Sequence, residues 1–332
     1  MDKILVKSIP LLFVGLVWFG CKGNYNFEYD TIITDVPVNL EKINSGYDDY
    51  NSDLPYPAFR YGIYFSSNRR SGGNNFDIIH EDLDISYHEK DDVLNVTFPT
   101  NTWDGENQML SVINSSFDEL GPLSLFGPNE YSYFFFANNE EGNYNVKYTY
   151  FLKSDFGTSD GKGIINGPEN LMVINSDKDD MYPAINMDNS SLFFCSNRDN
   201  DQFDIYSIAL PNEVEFDGFI RSTTPGVVIK NDVLSSNFDD KCPSINEDLM
   251  VFASNREGGY GGYDLYFSRW INGAWSIPKN FGAGINSEFD EYRPITFHFF
   301  EGFEHIMIFS SDRPGGKGGF DLYMVQADDI VN

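Results

Sequence analysis

Four arginines, Arg69, Arg198, Arg256 and Arg313, are each followed six or eight residues later by an aspartate: Asp77, Asp204, Asp264 and Asp321. A cation and an anion at fixed spacing can form charge-assisted hydrogen bonds with each other or with a shared turn. A ring of arginines could instead hold an anion. The degenerate copy FFANNEEGNYNVKY decides between these, because its arginine position is Glu140 and its aspartate position is Asn145. Both partners change together, so each Arg and Asp reads as a structural pair bridging a hairpin.

A second series of acids, Asp48, Asp118, Asp179, Asp239 and Asp290, sits in INSGYDDY, INSSFDELGP, INSDKDDMYP, LSSNFDDKCP and INSEFDEYRP. Clustered carboxylates can take a hard cation, as could the run from Asp155 to Asp160. An Asp that recurs in every copy is instead expected to cap the turn into the next strand through local backbone bonds. No metal and no cofactor is therefore expected. The runs GGYGG (258 to 262) and GGKGG (315 to 319) precede strands, so they lack the helix N-terminus that a phosphate cradle needs. His80, His88, His298 and His305 stand outside any catalytic motif. Glycoside hydrolysis needs a pair of separated carboxylates. The prominent acids here are the repeated ones, so no enzyme is expected.

The elements that must position these residues follow from the repeat. The second series of acids steps by 70, 61, 60 and 51 residues, a period that suits a propeller blade. Each unit carries apolar runs rich in Phe, Tyr and Ile around a Gly/Asn-rich turn, the signal of a β-hairpin. Four strands per unit predict an all-β chain folded as a single β-propeller of four-stranded blades. Five blades are counted, with six as the alternative. They span roughly 48–117, 118–178, 179–238, 239–289, and 290–332 together with 30–47. The last unit lacks an outer strand, and VPVNLEKINSGYDDY near the N-terminus matches IPKNFGAGINSEFDEY of the fourth unit. The N-terminal strand is thus expected to complete the fifth blade and hide its edge.

Lys3 and Lys7, an apolar stretch from Ile9 to Gly20 and then Cys21 have the layout of a signal peptide over residues 1–20. The tether would be 21–29 and the propeller 30–332. Net charge is −29, which repels phosphate backbones and speaks against nucleic acid as a partner. Cys195 and Cys242 are expected as buried thiols. Most of the 30 Phe and 20 Tyr should fill the spaces between blades, which leaves Trp103, Trp270 and Trp275 as candidates for ligand contact.

Two resemblances extend this reading. LVWFGC resembles the lipobox of bacterial lipoproteins, which implies lipidation of Cys21 and membrane contact through that lipid alone. The pattern D-x-x-x-P, then F-x-S-N-R, a Gly-rich turn and F-D-[IL]-Y resembles the WD40-like PD40 repeat of TolB-type propellers over nearly all of the chain. Five-bladed versions of that family occur among envelope lipoproteins linked to type IX secretion and peptidoglycan-binding modules. The resemblance implies a non-catalytic protein-binding module or scaffold of the cell envelope, at the outer membrane. An envelope protein would be its partner, with the acidic insertion from His80 to Gln108 as the contact surface. The alternative is a glycan-binding or glycan-hydrolysing five-bladed propeller. Its mark would be non-repeated carboxylates and a Trp converging on the central cavity.

Overall fold

LMVFAS (249–254) is buried along its whole length and SLFFCS (191–196) at every residue after Ser191, as strands sandwiched between neighbouring sheets must be. The computed structural model describes residues 29–55, 61–99, 104–155, 163–297 and 306–327. Cys21, Trp103, Asp160, His298 and His305 lie outside them. Five antiparallel sheets form the five blades of a propeller, and the described residues also hold two α-helices and one short 3-10 helix.

The inner strands are Asp49–Asp53, Glu119–Phe126, Asp180–Ile185, Asp240–Asn246 and Glu291–Phe297. Each packs beside the next around the ring, and the last packs against the first. The five spaces between blades hold five hydrophobic clusters, such as Tyr133, Phe135, Phe194 and Tyr206 between the second and third blades. A sixth cluster, containing Tyr182, Cys195 and Cys242, lies on the axis. Both cysteines are free and fully buried, and burial raises the Cys195 thiol to about 12, so it stays protonated.

The N-terminal segment divides between two blades. Val38–Asn39 pairs with Asp321–Gln326 and closes the fifth blade, as the repeat implied. Thr31–Ile33 instead pairs with Val93–Thr97 and adds a fifth strand to the first blade. The insertion after His80 supplies that surface by extending the third strand to Asp77–His88.

Every inner strand is bulged. The register shifts after Tyr50, Leu120, Met181, Lys241 and Tyr292, and the next residue in each strand has positive φ: Asn51 60°, Gly121 60°, Tyr182 55°, Cys242 56° and Arg293 44°. Four of these are not glycine, so the surrounding ring holds them in a conformation an isolated strand would avoid. Bulges re-aim side chains, and here they bend each inner strand at the axis.

Candidate functional site

The repeated residues build the frame. Asp48, Asp118, Asp179, Asp239 and Asp290 accept the backbone N–H of Phe320, Phe76, Tyr144, Phe203 and Tyr263, all in the preceding blade. The expected local turn cap is therefore corrected to a staple between blades. The reason is that the preceding blade's third strand begins beside each inner strand, where Glu119, for example, donates its N–H to the Phe76 carbonyl at 2.7 Å. The joint between the fifth and first blades is made the same way as the others.

The arginine pairs also need correction. Arg69, Arg198, Arg256 and Arg313 bond Asp49, Asp180, Asp240 and Glu291, the first residue of each inner strand. Cross-strand register explains this, since Asp49 lies opposite Ser67, two residues before Arg69. The guanidinium also donates to a loop carbonyl, as Arg256 does to Leu234 at 2.8 Å, and lies over aromatic rings such as Phe252 and Tyr266. Asp264 and Asp321 accept turn N–H groups and the amides of Asn280 and Asn39. Asp204 pairs with Lys230, and Asp77 lies within the field of Arg70. In the second blade Glu140 pairs instead with Lys147. There Glu119 has no arginine, and burial raises its carboxyl to about 7.

The axis is where the repeat breaks. Four inner strands carry proline at the residue after the bulge, namely Pro122, Pro183, Pro243 and Pro294, whereas the first carries Ser52 followed by Asp53. Positions matching Asp53 are Leu123, Ala184, Ser244 and Ile295, so this acid belongs to one blade alone. Arg293 of the fifth blade crosses the axis. It is 2% exposed, donates to the Pro122 carbonyl at 3.2 Å and the Pro243 carbonyl at 3.4 Å, and lies over the Tyr182 ring at 5.5 Å.

Beside Arg293 opens a cavity of about 370 Å³ lined by the far ends of the inner strands and their hairpin turns. Its wall is largely apolar, with Leu123, Ile245 and Phe297 among the lining residues. Into this wall are set two carboxylates from different blades, Asp53 and Glu247. Asp53 Oδ2 accepts the backbone N–H and hydroxyl of Ser124 at 2.9 and 2.6 Å. Burial raises its carboxyl from 3.8 to about 6, against the opposing pull of Ser124 and the Arg293 charge. Glu247 is exposed at a turn, with φ 53°.

Around this pair, buried polar atoms lack partners among the described residues. In the cavity wall they are Arg293 Nε, Asn246 Nδ2 and Thr296 Oγ1, and on the first inner strand just short of the wall they are both polar atoms of the Asn51 side chain and Ser52 Oγ. Buried polar groups are normally paired, so a cluster of unpaired ones beside a cavity marks a place for a polar guest. The sequence signal was the loss of proline at Ser52 in an otherwise regular repeat. Trp270 and Trp275 are not in the cavity wall but stand beside the turn that carries Glu247.

No family model and no curated protein matches this chain. Among solved structures, an endo-arabinase from Bacteroides thetaiotaomicron VPI-5482 aligns over 88% of this chain and 96% of its own, with TM-score 0.51 and 12% identity. An exo-β-1,3-galactanase from Phanerochaete chrysosporium aligns over 89% of this chain and 64% of its own, with TM-score 0.51 and 12% identity. At such identity the likeness establishes the propeller fold. The expectations of a non-catalytic scaffold and of no enzyme are corrected by these findings. Both of these propellers are named as glycan-cleaving enzymes, and the cavity of this chain carries the non-repeated carboxylates set as the mark of the glycan alternative.

Proposed function

We propose that the protein hydrolyses glycosidic bonds in the central cavity, with Asp53 as general acid and Glu247 as the second carboxylate. The observation that carries this reading is a non-repeated Asp held protonated up to about pH 6 in an apolar cavity that a second acid also lines. In the reaction Asp53 gives its proton to the glycosidic oxygen as the bond from that oxygen to the anomeric carbon breaks. Glu247 accepts a proton from the water that adds to the anomeric carbon. Arg293 fixes the cavity floor and keeps positive charge near the Asp53 carboxylate once its proton has left. Asn246 and Thr296, both in the cavity wall, offer the donors and acceptors that sugar hydroxyls require.

The order of Lys3, Lys7, the apolar stretch and Cys21 supports export and lipid anchoring at the outer membrane, where such an enzyme meets extracellular or cell-wall polysaccharide. The repeat's likeness to PD40 units supports shared ancestry of the blade, with the activity residing in the residues that depart from it.

The full-length protein is tested on arabinan and on β-1,3-galactan, the chemistries of the two structural matches. Reducing ends are expected, at a rate that falls as pH rises past about 6. Glu247→Gln should lower the rate by roughly 10²-fold or more. A folded protein inert on both polymers and on a wider glycan panel would overturn the reading.

A further inference from the structure

Among the described residues, only the fourth blade turns its third strand back through a two-residue Asn-Gly hairpin. Asp264–Ile271 turns back through Asn272 and Gly273, with φ of 53° and 85°, into Ala274–Trp275. Two consecutive positive φ values make the tight turn that Asn-Gly favours. Trp270 and Trp275 face each other across it, their rings 5.1 Å apart at 67°.

This pair is held rigidly beside the cavity. Trp270 N–H donates to the Asp248 carbonyl at 2.7 Å, one residue from Glu247, and Arg269 Nη1 bonds Asp248 Oδ1 at 2.8 Å. Ser276 fastens the returning strand, its N–H to the Arg269 carbonyl at 2.8 Å and its carbonyl to Ser268 Oγ at 2.6 Å. The Trp275 ring packs edge-on to Phe193 at 6.0 Å, and Phe193 lies opposite Ala184, a cavity-lining residue. Trp275 is therefore the buttress. Trp270, 47% exposed, is the face left open.

A large apolar ring kept half exposed on a braced hairpin, at the lip of a cavity with polar groups inside, suits the C–H face of a pyranose or furanose ring. We infer that Trp270 is a sugar-stacking subsite outside the cleavage position, so that the ligand is a glycan chain whose further residues lie along the fourth blade. The inference rests on the cavity being the glycan site. Continuity supports it, since the turn that places Glu247 in the cavity also anchors Trp270. Because the hairpin is fixed in advance, little ordering entropy opposes binding.

The test uses the full-length protein, Trp270→Ala and Trp270→Phe, with melting temperature as the folding control. Retardation in gels containing arabinan or β-1,3-galactan is measured beside kinetics on polymer and on disaccharide. Trp270→Ala should weaken retardation and raise KM for polymer about tenfold with kcat unchanged, leave disaccharide rates as they were, and be rescued by Phe. Equal effects on polymer and disaccharide, or no effect on retardation, would overturn the subsite. If hydrolysis is absent but retardation still depends on Trp270, the subsite stands and the catalytic reading fails. If Asp53→Asn kills hydrolysis while Trp270→Ala binds polymer normally, only the subsite fails.

Discussion

Each inner strand begins and ends in different surroundings. At its start an acid meets Ser and, in four blades, Arg, as Asp240 meets Ser236 N–H and Arg256, and the arrangement recurs around the ring. At its end the blades diverge: Asp53 on the first lies in the field of Arg293 on the fifth, and polar atoms of Asn51, Ser52, Arg293 and Thr296 are left unpaired. The contrast separates two kinds of constraint. Residues that close the ring repeat because five joints pose one geometric problem, while a guest in the cavity is asymmetric and needs different groups from different blades.

The sharpest way to break this comparison is to remove one member of a repeated pair. Arg256→Met leaves Asp240 fully buried without its cation and the Leu234 carbonyl without a donor, and should destabilise by about 3–5 kcal/mol. Denaturant unfolding measures this, and activity per folded molecule should be unchanged.

The cavity end should respond with the opposite sign. Asp53 has a folded value of about 6 against 3.8, so the stability it contributes in its protonated form is lost as pH rises from about 4 to about 6. Asparagine keeps an acceptor for Ser124 and cannot ionise. Asp53→Asn should therefore be as stable as the parent at pH 4 and more stable by up to ~3 kcal/mol at pH 8. Thermal melts across that range check it.

The second blade allows the comparison to be sharpened within the repeat. Its Glu119 is raised to about 7 by burial, with no arginine beside it to offset that, so stability drains away as pH rises from about 4.5 to about 7. Restoring the other blades' pattern with Glu140→Arg and Lys147→Tyr together should flatten that dependence and add on the order of 2 kcal/mol at pH 8. The smallest effect concerns the ring closure. Asn39 bonds Asp321 at 2.9 Å as Asn280 bonds Asp264 at 2.9 Å. Either change to Ala should cost about 1 kcal/mol, by the same amount at the clasp as inside the chain.

The fold was legible because each blade needs the same hairpin and the same staple, so INS-x-x-D and F-x-S-N-R had to recur. The partner of each arginine was not, because Arg69 and Asp49 are brought together by antiparallel register across twenty residues, whereas Asp77 is merely closer along the chain. Thr31–Ile33 lies in the stretch expected to close the fifth blade, and nothing in the sequence signals that the first blade's lengthened third strand takes it as an outer partner. The cavity acids stayed hidden for a related reason. A repeat draws the eye to what is shared, and Asp53 is visible only as the place where the first unit departs from the proline of the other four.

The most direct measurement is the release of reducing ends from arabinan and β-1,3-galactan by the full-length protein and by Asp53→Asn, followed from pH 4 to pH 8. A parent whose rate declines above about pH 6 and a folded, inactive Asp53→Asn protein are expected. An Asp53→Asn protein that cleaves either polymer with the parent's rate and pH profile would contradict the role given to Asp53.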